Sequence, residues 1–316
     1  GSDFSAYIHN YLDPSRTLAY HRLDYYGYLT LAYIGHLFGL SPKVFFTFLT
    51  LIQLALTIWM FRKISKMVFS FYRQQKTFLY ICIAVSLLST FFWNGLTNVI
   101  RHALAIPFLV AFLCCIVQRH YGKAILFITI ATLFHISSIL FGLVGFLFLK
   151  GKHLSRFIFV VGVLLYLTKS SDNAMMLFQE FTKIPVYSFV MQYGAGHQYR
   201  TGFRYDFFFF SLAPILLSKI AFAGLGILRQ TRDAINSSSL NMLLNLYESL
   251  LIPFIFIGYG AYMDRWLLPA WFLLPIFPAY FGSLFVKKRS FVPFMASISV
   301  MFIILIIIMI FPKPWY

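Results

Sequence analysis

Residues 124–149 read AILFITIATLFHISSILFGLVGFLFL, 26 residues without an Asp, Glu, Lys or Arg, flanked by Arg119 and Lys123 on one side and by Lys150, Lys152 and Arg156 on the other. A membrane span takes about 20 apolar residues at ~1.5 Å each, so the run is long enough to cross a bilayer once. Basic residues at both ends argue against a crossing, because lysine and arginine collect in the cytoplasmic connections of a polytopic protein. A hairpin of two half-length helices satisfies both facts, with its tip at His135-Ile136-Ser137-Ser138, where the polar residues gather. Irregular backbone at that depth is tolerated only against protein or a wet cavity, so the tip is expected to line a cavity. One long tilted helix is the alternative.

Working outward, the rest of the 316-residue chain has the same character: 60% hydrophobic, 20% aromatic and 11% charged, with a mean hydropathy of +0.79. Soluble domains carry about 25% charged residues. The composition therefore excludes a water-soluble enzyme, a nucleic-acid reader or a disordered linker, and the fold expected is an all-α polytopic integral membrane protein forming one transmembrane domain over 1–316. Spans are expected at 42–61, 77–93, 99–117, 157–168, 205–227, 240–258, 266–285 and 291–311. Residues 1–41 read as an external, interfacial segment with an amphipathic aromatic helix over 23–40. Residues 169–204 read as a long external loop, and the tail Pro312–Tyr316 ends outside. The chain has no initiator Met, and upstream sequence with a further membrane helix is expected to precede Gly1.

The net charge of +17 is not a nucleic-acid signal, because fifteen of the 26 Lys and Arg fall in five short clusters between apolar runs, around Arg62–Lys76, Arg119–Lys123, Lys150–Arg156, Arg229–Arg232 and Lys287–Arg289. That is the positive-inside pattern, whereas nucleic-acid binding needs one continuous basic face. It places seven of the nine acids outside (Asp3, Asp13, Asp24, Asp172, Glu180, Asp206 and Asp264) and leaves Glu248 alone within a span. Polar chemistry is thus expected on the external face. Cys82, Cys114 and Cys115 lie in apolar runs, where neither disulfides nor a zinc site is expected.

Four arginines sit outside or at outer span ends: Arg101, Arg200, Arg204 and Arg265. Arg101 opens a span just after Asn94-Gly95-Leu96-Thr97-Asn98, beside the positive end of a helix dipole, and Arg204 and Arg265 lead into spans at the same boundary. Guanidiniums converging there would grip a diphosphate in a planar, bidentate way; each would otherwise anchor its helix to lipid headgroups. His135 is a candidate base or acceptor-orienting residue, or else a packing residue of the hairpin. Glu248 would carry a proton or cap a kink. Asp206 and Asp3 would orient an acceptor hydroxyl or pair with an external arginine, and Asp3 lies one helical turn from Tyr7. Asn98 and Asp264 neighbour the arginines. Tyr25, Tyr26, Tyr28, Trp93, Tyr199 and Trp266 would stack on sugars or form an interfacial belt. No nucleotide-binding or hydrolase fingerprint and no carboxylate cage for a cation is present, so no metal and no cofactor is expected.

Asn98-Val99-Ile100-Arg101-His102-Ala103-Leu104-Ala105, followed some thirty residues later by Phe134-His135-Ile136-Ser137-Ser138, resembles the EpsG-like/Wzy family of bacterial polysaccharide polymerases, with His102 where glutamine is more usual. Gly1-Ser2-Asp3-Phe4-Ser5-Ala6-Tyr7 is similar to an early Gly-x-Asp-x-x-x-Tyr segment of that family, which would make Gly1 native. Asp24 to Tyr28 is similar to the Tyr-rich element after it, and Asp264-Arg265 to a late acidic-Arg pair. The resemblance implies a helical bundle of the polytopic glycosyltransferase (GT-C-like) type in the bacterial inner membrane, with its active site facing the periplasm. The implied reaction joins undecaprenyl-diphosphate-linked oligosaccharide repeat units into O-antigen or a related surface polysaccharide, without a metal, with the lipid diphosphate as leaving group and a chain-length regulator as partner. On that reading Arg101, Arg204 and Arg265 hold the diphosphate and His135, with Asp206 and Asp3 in reserve, serves the acceptor. Asn98, Tyr7, Arg200 and Asp264 contact substrate. Two competitors remain. A membrane acyltransferase would need a cytoplasmic donor site that the short basic loops do not offer, and a lipid-linked-oligosaccharide flippase would show repeat-related halves and a deep belt of charge.

Overall fold

The computed structural model describes residues 3–13, 26–192, 202–227, 237–260 and 262–284. The expected span at 291–311, the tail, the clusters at Arg229–Arg232 and Lys287–Arg289, Gly1, Ser2, Asp24, Tyr25, Tyr199 and Arg200 lie outside these residues. Among the described residues every regular element is helical. They are α1 (Asp3–Leu12), α2 (Tyr26–Leu37), α3 (Pro42–Val68), α4 (Tyr72–Leu88), α5 (Thr90–Thr97), α6 (Ile100–Val117), α7 (Tyr121–Phe134), α8 (Ser137–Lys150), α9 (Lys152–Leu167), α10 (Ser171–Thr182), α11 (Val186–Gln192), α12 (Tyr205–Ile227), α13 (Ser237–Ile257), α14 (Met263–Trp271) and α15 (Ile276–Leu284). Five stretches are long and apolar enough to cross a membrane, or six if the bent pair α4–α5 is one span. The chain is an all-α polytopic membrane protein.

Burial sorts the helices into an inner and an outer set. The apolar stretches of α6, α13 and α14–α15 are 83%, 78% and 94% buried, against 33% for α3 and 28% for α12. A helix that is apolar all round belongs in the middle of a bundle, and α6 is that helix. On α3 the buried residues Phe45, Leu49, Gln53, Thr57, Phe61, Ile64 and Val68 recur at three- and four-residue intervals. That stripe packs inward while the remaining faces meet lipid. The helix runs past the expected end at residue 61, so Arg62, Lys63 and Lys66 lie on its last turns and not in a loop. Both residue types are good helix formers and reach water from a helix end.

The hairpin is present. α7 and α8 break at His135-Ile136, and their far ends meet: Lys150 Nζ donates to Tyr121 Oη and lies 4.7 Å from that ring's centre. His135 is extended, at φ −156° and ψ 117°. The break is bridged at Ala131 O, which accepts the His135 N–H at 2.9 Å and the Ser138 Oγ hydroxyl at 3.3 Å. Gly142 brings the arms together, since a Cβ there would lie 2.5 Å from Ile128 Cδ1. Gly145 seats α8 on α6, where a Cβ would lie 2.4 Å from Leu113 Cδ2. Gly145→Leu is therefore expected to overpack the centre and cost roughly 1–3 kcal/mol, read as a lower thermal midpoint in detergent. The hairpin also fixes sidedness. Cysteines placed at Gly122 and His153 should be labelled from the same side of the membrane, against a silent background because Cys82, Cys114 and Cys115 are buried. A single crossing would put the two on opposite sides.

Three expectations are corrected. The span expected at 77–93 is bent by 66° between α4 and α5, so the loop expected at 94–98 is mostly helix. Ser89 is extended there and Trp93 Nε1 donates to Leu87 O at 2.8 Å, capping the end of α4. The cause is tertiary: α5 lies against α6 and α14, close enough that a Cβ on Gly95 would be 2.9 Å from Phe272 and 3.0 Å from Ala103. The span expected at 266–285 is there over Met263–Leu284, long and apolar enough to cross, but its helix is interrupted by turns at Phe272–Pro275, where proline has no N–H to continue the ladder. The stretch expected as a long loop carries α10 and α11, clamped by Gln179, whose Nε2 donates to Ser188 Oγ at 2.8 Å and whose Oε1 accepts Ser188 N–H at 2.9 Å.

Candidate functional site

The site is assembled from helix ends, the starts of α6 and α14 and the break between α7 and α8. α6 begins after Val99, which offers no side chain to its first-turn N–H groups. An uncapped helix start carries partial positive charge, and Arg101 adds a full one in the first turn. One residue on, His102 points to the hairpin tip. Its ring lies flat on that of His135, with centroids 4.2 Å apart and planes 13° from parallel. The expectation that the tip lines a cavity is not met on this side, where ring covers ring. The edge of His135 is held as well, Nδ1 and Ser137 Oγ being 2.6 Å apart.

A line of rings ties this pair to α14. His102 and Phe141 are 6.1 Å apart, and Phe141 and Trp266 6.0 Å. Arg265, the residue before Trp266, has its guanidinium 4.3 Å over the ring of Tyr262. Arg101 precedes His102 and Arg265 precedes Trp266, so the line of rings has an arginine beside each end and joins α6, the hairpin and α14 into one unit.

α1 and α2 close the unit from the side. Tyr28 is fully buried, its hydroxyl donates to Tyr7 O at 2.9 Å, and the two rings are 5.3 Å apart. Burial and the neighbouring Tyr7 push the Tyr28 phenol above its ordinary range against the opposing charge of Arg101, so it stays a protonated donor. Gly27 lets α2 approach the hairpin, since a Cβ would lie 2.8 Å from Phe134 Cδ1. Tyr28 is thus a structural member of the site's wall and not the sugar-stacking surface its sequence position suggested. Tyr7 packs inside the same wall.

The remaining candidates divide. Arg204 is engaged two residues along the chain, its Nε–H donating to Asp206 Oδ1 at 2.7 Å and its Nη2 to Asp206 Oδ2. Its guanidinium lies 3.9 Å over Phe207, and its backbone N–H donates to Tyr166 Oη at 3.0 Å. The trio of arginines expected from sequence is therefore a pair, Arg101 and Arg265, beside a separate Arg204–Asp206 couple. Asp264 is half-buried in the first turn of α14, where a carboxylate meets the positive helix end. Asn98 is exposed and donates from Nδ2 to Asn94 Oδ1 at 2.6 Å. Asp3 opens α1. Glu248 is buried, 8% exposed, and the charges that act on it come from Lys219 and Arg156 on neighbouring helices, not from the site. Among the described residues no group of three His, Cys, Asp or Glu is placed to hold a metal ion.

Tyr166 is the keystone of the outer ends. It stacks on Phe208 at 4.8 Å, accepts Arg204 N–H, and its hydroxyl reaches Gly258 O at 3.4 Å. Tyr166→Phe leaves the Arg204 N–H without its acceptor and is expected to cost about 1–3 kcal/mol, measured as a drop in thermal midpoint.

Sequence reasoning missed the role of His102. It stood only as the neighbour of Arg101, and no local signal links it to a histidine 33 residues on. The serines after His135 were visible, but the bond to Ser137 was not.

An all-helical bundle with interrupted helices, five or six of its stretches long and apolar enough to cross a bilayer, is a polytopic membrane protein. The chain belongs to the EpsG family, whose model matches residues 1–315, a family of Wzy-like, polymerase-type membrane proteins. It is accordingly a glycosyltransferase-like polymerase of the membrane, as its motifs suggested. No curated protein and no solved structure matches the chain.

Proposed function

We propose that this protein joins undecaprenyl-diphosphate-linked oligosaccharide repeat units into a surface polysaccharide at the periplasmic face of the bacterial inner membrane. The observation that carries the reading is the placing of Arg101 in the uncapped first turn of α6, beside the hairpin tip that carries His135, with the line of rings from the tip ending at Trp266, next to Arg265.

The donor is the growing chain on its lipid diphosphate. The glycosidic C–O bond to the diphosphate breaks, its electron pair passes to the diphosphate oxygen, and the acceptor hydroxyl of a new lipid-linked unit forms the new C–O bond. Negative charge on the leaving group grows as the bond breaks. Preorganised guanidiniums and a helix start therefore stabilise the transition state more than the bound substrate. The acceptor's proton passes to His135. With Nδ1–H donated to Ser137 Oγ, Nε2 is the nitrogen left to receive it. Arg204, with Asp206, Asp264, Asn98, Asp3 and Arg200, is assigned to the surrounding sugar and headgroup contacts, while Tyr7, expected from sequence to contact substrate, is buried in the wall behind them. A chain-length regulator is the expected protein partner.

Binding tests the diphosphate grip without turnover. Radiolabelled undecaprenyl diphosphate should bind the purified protein, and Arg101→Ala and Arg265→Ala should each weaken it by about 10- to 100-fold, the worth of hydrogen bonds to a charged group. Arg204→Ala should change it little, because that guanidinium already holds Asp206. Unchanged binding in both of the first two variants would remove the diphosphate from this site.

A further inference from the structure

We propose that His102 is a positioning residue for His135, acting through the face of its ring and not through its nitrogens. The inference rests on the polymerase reading and assigns a part to a residue that the chemistry above leaves idle.

His102 is 3% exposed, and both of its ring nitrogens are buried without a hydrogen-bond partner. A buried polar atom left unpaired costs stability, so the nitrogens contribute nothing to holding this ring in place. They are also out of reach of a substrate. His135 differs: it retains accessible surface, and its Nδ1 is engaged by Ser137. What His102 does offer is an aromatic face, 4.2 Å from His135 and nearly parallel to it.

That contact meets a specific need. His135 stands at a break, in extended backbone between two helices, with no helical turn to restrict its side chain. The hydrogen bond to Ser137 Oγ fixes one edge of the imidazole but leaves it free to swing about that bond. A flat surface against the ring removes this freedom. The two restraints together define the direction of Nε2, which is the geometry a proton acceptor needs. Because α6 also carries Arg101, the stack ties the acceptor side of the reaction to the diphosphate side through one rigid element. Phe141, 6.1 Å from His102, backs the arrangement from the hairpin itself.

The test isolates the ring face. His102→Phe keeps a face and removes both unpaired nitrogens; His102→Leu removes the nitrogens and the face alike. In liposomes supplied with lipid-linked repeat units, His102→Phe should turn over within about threefold of the parent. His102→Leu should lose roughly 100-fold in kcat, the cost of a misplaced reacting group, with KM for the repeat unit within about twofold. A loss in His102→Phe as large as in His102→Leu, or full activity in His102→Leu, would overturn the assignment.

A second readout needs no turnover. In histidine-labelled protein, the His135 ring protons should show an upfield ring-current shift in the parent and in His102→Phe and lose it in His102→Leu. A parent without that shift refutes the stack itself. A parent that shows the shift and binds the lipid diphosphate yet makes no polymer refutes the polymerase reading, and the assignment with it.

Discussion

Arg101→Ala is expected to lower polymer formation by about 1,000-fold while leaving folded protein in the membrane. The size follows from the role: removing one preorganised donor from a developing anion costs roughly 100- to 1,000-fold, and here the donor is charged and stands at a helix start that adds its own dipole. Folding should survive, because α6 is held by its apolar faces, from Ala103 to Ile116, and not by its first turn. Arg101→Lys should recover only part of the loss, since an ammonium supplies the charge without the two parallel N–H bonds that a diphosphate accepts. A glycan ladder of normal yield from Arg101→Ala would take the residue out of the site.

His135→Ala should lower kcat by about 100-fold, the lower range for losing a positioned acid or base. It removes the proton acceptor and one half of the stacked pair in a single step. Ser137→Ala should cost less, on the order of 10-fold, because it releases one edge of the ring and leaves the face contact with His102 intact. Equal losses in the two variants would mean that the hydrogen bond, and not the imidazole, carries the effect. Unchanged turnover in His135→Ala would return the residue to helix packing.

The features legible in the sequence are those that the bilayer enforces. An uncharged run of 26 residues with basic residues at both ends has few solutions in a membrane, and the hairpin at 121–150 is the one adopted. Arg101 and Arg265 stood out in the sequence because an arginine at the start of a span is costly without a partner. Arg204 looked identical by that criterion. Its carboxylate partner, Asp206, was visible in the sequence, but the choice between a local ion pair and a shared site depends on how the chain enters α12, and that is set by Tyr166 from α9.

Features decided by contacts between distant segments were not legible. The bend at Ser89 contains neither glycine nor proline; it follows from Phe272 and Ala103 meeting Gly95. Glu248 has no cation within its own helix, and those that act on it, Lys219 and Arg156, belong to two others. α10 lacked a readable apolar face because its Leu177, Phe178 and Phe181 are exposed while Gln179 pins it to α11. The histidine pair was hidden for the same reason, each ring being an isolated polar residue until α6 and the hairpin tip are brought together.

The central claim is that the protein joins lipid-linked units with release of lipid diphosphate. Its most direct test is to place the purified protein in liposomes with one undecaprenyl-diphosphate-linked repeat unit and EDTA. Glycosidic bonds formed and undecaprenyl diphosphate released are then counted together. The account predicts a glycan ladder with one lipid diphosphate freed per bond, lost in Arg101→Ala and in Arg265→Ala. Repeat units that cross the bilayer and stay monomeric on their lipid would contradict it and identify a transporter instead.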